Sequence, residues 1–167
     1  MTGRERKSWL WHVLSPTNPD AIAGAIWLAT LIRSTIEENP DPLKKALKTA
    51  FLEDEILGMK IGDAIRHAAD GVPIESAIVM IGNDVSVYQT VPLAAYLISV
   101  YGEDDDLLYY AGQAGGNTDT IGFICGSWLG AAFGASGLPE DLVVALENRE
   151  SVETMADRLY QRFGKKD

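Results

Sequence analysis

Eighteen consecutive residues, Ile121 to Leu138, carry no charge. A run of this length either spans a membrane or packs against the rest of the protein. Its composition favours packing. Glycines stand at 122, 126, 130, 134 and 137, with Ser127 and Ser136 among them, and acids rather than Lys or Arg flank the run. The first four glycines recur every four residues and share one face of a helix. Each costs roughly 1 kcal/mol of helix propensity relative to alanine. The row predicts a central helix approached closely by its neighbours, rigid enough to hold the turn before it, although crowding alone also explains glycine.

The remaining segments also read as helix. Apolar residues recur at helical spacing from Asp20 to Glu38, after the breaker cluster Ser15-Pro16-Thr17-Asn18-Pro19. A short helix is expected over Arg4 to Leu14, carrying Trp9, Trp11 and His12. Pro42 starts another, to about Leu57. Further helices are expected over Ile61 to Ala69, Pro73 to Ile81 and Val85 to Val100, with Pro92 as a kink or restart. Glu103-Asp104-Asp105-Asp106 opens a helix through Gln113, and helices near 139–147 and 151–163 close the chain. No segment of four to eight residues alternates as a strand does. The fold class is all-α, one compact domain over 1–167 with eight to nine helices.

Composition narrows the function. With 167 residues the chain fits one domain. A net charge of −10 argues against binding nucleic acid or an anionic membrane surface. Cys125 is the single cysteine, so no disulfide forms within the chain, as suits a reducing cytoplasm. No secretory signal follows the charged start, and the expected localisation is cytoplasmic.

The turn before the uncharged run holds the densest polar chemistry. Gly115-Gly116-Asn117-Thr118-Asp119-Thr120 sets two glycines ahead of an amide, two hydroxyls and a carboxylate. Hard divalent cations favour such oxygen clusters. A helix cap needs only one of these side chains. Asn18 and Asp20 form a second small polar group that reads as a cap. Glu53-Asp54-Glu55 and the acids at 103–106 read as solvated surface. Cys125 reads as a small core residue, and His12 and His67 are too isolated for a zinc site or triad.

Read with its surroundings, Gly115-Gly116-Asn117-Thr118-Asp119-Thr120-Ile121-Gly122, followed by Cys125-Gly126 and Leu129-Gly130-Ala131-Ala132-Phe133-Gly134, resembles the C-terminal signature of the ADP-ribosylglycohydrolases, the family of the dinitrogenase-reductase-activating glycohydrolase. Weaker similarity extends over Thr17-Asn18-Pro19-Asp20-Ala21, Val91-Pro92-Leu93-Ala94 and Leu138-Pro139-Glu140. The resemblance implies an all-α fold and a binuclear Mg²⁺ or Mn²⁺ centre. It also implies cleavage of the N- or O-glycosidic bond between ADP-ribose and a protein side chain or small acceptor. Asn117, Asp119 and Thr120 would be metal ligands, Asp119 the catalytic carboxylate, and Asn18, Gly115 and Gly116 substrate contacts.

Three departures qualify this. Asn117 stands where the family usually has an aspartate, and Asn18 where many members have histidine. The family's N-terminal Gly-Asp-x-x-Gly segment and Thr-Asp-Asp motif are not found. The resemblance therefore implies the C-terminal portion of such an enzyme, incomplete at the N-terminus. Its expected partners are an ADP-ribosylated protein or small conjugate, and a missing N-terminal half or second subunit. The alternative is a non-catalytic helical protein, crystallin-like or an interaction subunit.

Overall fold

The computed structural model describes residues 18–104 and 106–164. The helix expected over Arg4 to Leu14 lies outside these residues. Within them the chain forms nine α-helices and no strand. They are α1 (Pro19–Ile36), α2 (Pro42–Glu53), α3 (Glu55–Ala69), α4 (Ile74–Ile81), α5 (Val87–Tyr101), α6 (Leu107–Gln113), α7 (Thr118–Phe133), α8 (Glu140–Ala145) and α9 (Arg149–Phe163); a 3₁₀ turn, Gly134–Gly137, follows α7.

Local chemistry sets the helix starts. Asn18 caps α1 by accepting the Asp20 N–H at 3.0 Å, with Pro19 in the first turn. Asp41 caps α2 through the Lys44 N–H at 2.9 Å. The helix expected to run through Leu57 instead breaks at Asp54, which adopts extended φ −154° and caps α3 by accepting the Leu57 N–H at 2.9 Å. Asp54 is thus not the solvated helical acid its neighbours suggested. It trades one helical backbone position for a new helix start. The acidic run at 103–106 likewise precedes its helix: α6 begins at Leu107, and Asp104 accepts the Asp106 N–H in the preceding turn.

The central helix is α5. Every residue from Thr90 to Ile98 is buried, and α5 packs against α1, α3, α4, α6 and α7. Pro92 lies inside it without ending it. Trp27 and Leu31 of α1, Leu57 and Ile61 of α3, and Leu107 of α6 complete the core with Ile121, Cys125 and Leu129 of α7. The Tyr96 hydroxyl donates to the Val72 carbonyl at 2.6 Å and pins the loop before α4.

The expectation that neighbours crowd the glycine row of α7 is overturned. A Cβ added at Gly122 or Gly130 would meet nothing within 4 Å, and one at Gly126 only Leu108 at 3.6 Å. Close approach occurs instead at Gly24 of α1, where a Cβ would come within 2.6 Å of Val87. The uncharged run therefore has one buried face and one open face. Phe123 and Phe133 are also exposed. Among the described residues no helix is long and apolar enough to cross a membrane.

Candidate functional site

The turn leading into α7 is fixed from outside by Asn83. Gly115 and Gly116 adopt φ +69° and +64°, a region that favours glycine. The Asn83 carbonyl sits against Gly116, where any Cβ would collide with it. That carbonyl accepts the Asn117 N–H at 2.8 Å, and the Asn83 side chain donates to the Ala114 carbonyl at 2.8 Å. The two glycines thus admit a loop of the chain itself.

Asn117 stands at the N-cap of α7, yet its side chain makes no capping bond to the backbone. Its Nδ2 donates to Thr90 Oγ1 at 3.3 Å, and its Oδ1 accepts from the Thr120 hydroxyl at 3.2 Å. Thr90 is buried and donates in turn to the Asp84 and Ser86 carbonyls, at 2.9 and 3.1 Å. Asp119 is exposed and its Oδ1 accepts the Thr120 N–H at 2.8 Å. The plain cap reading therefore fails for Asn117, whose amide is committed to side chains.

Asn117 and Thr120 face a cavity of about 430 Å³ where the N-termini of α1, α5 and α7 meet. Asn18, Asp20, Ser86, Tyr88 and Thr90 supply its polar wall, and Leu28, Val91, Phe123 and Ile124 its apolar one. The fold thus brings Asn18 to Asn117 and Thr120 across about a hundred residues of sequence. Asp119, Gly115 and Gly116 are not among the lining residues. Three helix N-termini bring their positive dipole ends to the cavity, while the Asp20 carboxylate lies in its wall.

Tyr88 was not singled out by sequence reasoning. Its hydroxyl donates to Asp54 Oδ2 at 2.7 Å, tying the cavity wall to the start of α3. The bond to Asp54 is the main reason the Tyr88 phenol is pushed up to about 12, with desolvation second. The Asp54 carboxyl is held below its usual range, first by the Leu57 N–H and then by Tyr88. Asn83 and Thr90 were missed as well. Nothing in their spacing announces contact with residues some thirty positions away. Cys125 is buried, and desolvation pushes its thiol up to about 12, which removes it as a nucleophile.

Asn117, Asp119 and Thr120 lie on one helical turn, but only Asn117 and Thr120 face the cavity. The three supply one carboxylate, one amide oxygen and one hydroxyl. Among the described residues no three His, Cys, Asp or Glu side chains are grouped to hold a cation. A pair of hard dications takes about six oxygens each, so Asn117, Asp119 and Thr120 do not by themselves fit a binuclear centre.

Comparison with known proteins agrees with this partial character. The chain is 31% identical over 159 residues to an uncharacterised protein of Archaeoglobus fulgidus, covering 94% of this chain and 51% of that one. It is 28% identical over 117 residues to the ADP-ribosylhydrolase ARH3 of Bos taurus and to that of Homo sapiens, covering 64% of this chain and 32% of each relative. The chain thus spans a third to a half of the length of these relatives. No solved structure matches it. The family described as ADP-ribosylglycohydrolase matches residues 11–167, nearly the whole sequence. On that match, with an all-helical fold around the Asn117–Thr120 turn, the chain belongs to the ADP-ribosylglycohydrolase family.

Proposed function

We propose that this chain supplies the C-terminal, ligand-facing part of a hydrolase that cleaves the N- or O-glycosidic bond between ADP-ribose and an acceptor. The observation that carries this is the cavity uniting Asn18, Asn117 and Thr120 at three helix N-termini. The dipole ends of α1, α5 and α7 suit a diphosphate. The apolar wall of Leu28, Val91, Phe123 and Ile124 suits the flat faces of a nucleoside. In the reaction, water adds across the anomeric C–N or C–O bond. The acceptor leaves with a proton and ADP-ribose is released.

Asp119 is assigned the catalytic carboxylate. With Asn117 and Thr120 it forms one edge of a Mg²⁺ or Mn²⁺ site. The remaining donors would come from an additional N-terminal portion or a second subunit. The chain by itself is expected to bind these cations weakly and to leave ADP-ribosylated protein or small conjugates intact.

The test has two parts. Amide shifts on titrating ADP-ribose into the labelled chain are expected to centre on Asn18, Thr90, Asn117 and Thr120. Asn117→Ala should weaken binding about tenfold, the scale of one lost hydrogen bond. Absence of shifts at millimolar ligand, or shifts centred elsewhere, refutes the cavity assignment. Tight stoichiometric Mn²⁺ binding by calorimetry, abolished in Asp119→Ala, refutes the partial-site assignment. The neutral Asn117 favours a second reading, a non-catalytic helical protein, for which neither Mn²⁺ nor ADP-ribose changes the melting temperature.

A further inference from the structure

Most polar atoms in the cavity wall are already committed. Asn18 Oδ1 accepts the Asp20 N–H at 3.0 Å, Ser86 Oγ accepts the Tyr88 N–H at 3.3 Å, and Asn117 Oδ1 accepts the Thr120 hydroxyl at 3.2 Å. Thr90 gives its proton to backbone carbonyls. Asp20 differs. It lines the cavity, is half-buried, and forms no ion pair among the described residues. Tyr88 stands near it: its phenol is raised first by the bond to Asp54, then by desolvation, then by the Asp20 charge. That phenol gives its one proton to Asp54 at 2.7 Å, so Asp20 keeps its acceptor capacity for what enters the cavity.

A half-buried carboxylate calls for hydrogen-bond donors. A diphosphate offers none and is repelled by the charge. An adenine offers one amine, but its rings belong against Leu28, Val91, Phe123 and Ile124. A ribose offers two adjacent hydroxyls, and acidic residues hold ribose hydroxyls in dinucleotide-binding folds. A guanidinium or ammonium also offers donors, but three helix N-termini turn their positive ends to the same cavity.

We propose that the Asp20 carboxylate accepts the vicinal 2′,3′-hydroxyls of the adenosine ribose, making the cavity selective against 2′-deoxy and 2′-phosphorylated nucleotides. This rests on the ADP-ribose reading of the cavity and deepens it. Asp119 lies outside the cavity, so the ribose whose glycosidic bond is cleaved lies outside too, and the ribose inside is that of adenosine. Asp20 sits in the first turn of α1 and offsets that dipole end, which leaves the diphosphate to the N-termini of α5 and α7. The ligand is thereby oriented, with its base on the apolar wall and its diol at the start of α1.

Titration of the labelled full chain with ADP and 2′-deoxy-ADP tests this. ADP should bind roughly ten- to a hundredfold more tightly, the scale of hydrogen bonds to a charged acceptor. ADP carrying a 2′-phosphate should bind no better than the deoxy form. Asp20→Asn should erase most of the preference. The ratio of the two affinities is the readout, because a helix weakened by the substitution would lower both alike. Equal binding of ADP and 2′-deoxy-ADP overturns the proposal, as does a preference that survives Asp20→Asn. So does an Asp20-dependent preference for ADP over inosine diphosphate, which puts the carboxylate on the base amine. Asp20-dependent binding of methylguanidine, a cation, overturns it as well. ADP shifts at Asn117 and Thr120 without 2′-selectivity overturn this assignment alone; no shifts with ADP or ADP-ribose overturn the cavity reading with it.

Discussion

Alanine replacement at three glycines separates the two roles this residue plays around α7. Gly116 is the severe case. At φ +64° an alanine side chain costs about 1–2 kcal/mol of left-handed strain. The added Cβ also meets the Asn83 carbonyl, so the loop at Asn83 has to move. That movement stretches the 2.8 Å bond from the Asn117 N–H, at a cost of about 0.5–1.5 kcal/mol. Together Gly116→Ala should lose roughly 1.5–3.5 kcal/mol, and the melting temperature should fall by about 3–14 °C for a domain of this size. Gly115→Ala shares the strain, at φ +69°, but meets only the movable Asn83 side-chain nitrogen at 3.3 Å. It should lose about 1–2 kcal/mol. Gly122→Ala reverses the sign. It lies inside a helix with open space where the methyl would go, so it should gain up to about 1 kcal/mol. Urea unfolding followed by circular dichroism ranks the three. A Gly116→Ala midpoint equal to wild type, or a Gly122→Ala midpoint below it, would refute the reasoning.

Two further outcomes follow from the titrating groups. The Asp54 carboxyl is lowered in the folded state, so its contribution is full above the ordinary aspartate range and disappears as pH falls through the folded value. Asp54→Asn should accordingly shift the urea midpoint at neutral pH and converge on wild type in acid; a difference constant with pH contradicts this. Cys125 should react with a disulfide reagent only as the domain unfolds, so its labelling rate in urea should track the unfolding curve. Rapid labelling of the native chain contradicts its burial.

The helical class and most helix starts were legible because they are written locally. A proline, a glycine or an Asx residue acts on its own turn, and Pro42, Asn18 and Gly82 act where the sequence puts them. Asp54 shows the limit. An acid between two acids in a run of good helix formers looks solvated. It becomes a helix break because the chain gains the Leu57 cap and the Tyr88 bond, one of them thirty-four residues away. Centrality was misread for the same reason. The run from Ile121 that forms most of α7 lacks charge, yet burial depends on what lies opposite, and α5 with Pro92 in it is the helix surrounded on all sides.

The candidate site divides along this line. Asn117, Asp119 and Thr120 share one helical turn and could be read together. The joining of Asn117 and Thr120 to Asn18 at the cavity required the whole packing of α1 against α5 and α7, and Asp119 stays outside it. Asp119, Gly122 and Gly130 fall on the face of α7 left open, with Gly126 between them against Leu108. The four glycines at 122, 126, 130 and 134 carry a propensity cost of roughly 1 kcal/mol each wherever they lie inside the helix. No contact among the described residues offsets that cost at Gly122 or Gly130. The row is open at Gly122 and Gly130 and begins one turn after the candidate catalytic carboxylate, so on the proposed partial-site reading a close-packing partner would lie against it. If such a partner exists, Gly122→Ala should stabilise the isolated chain and weaken the assembly. Were the row merely tolerated, the same substitution would stabilise both.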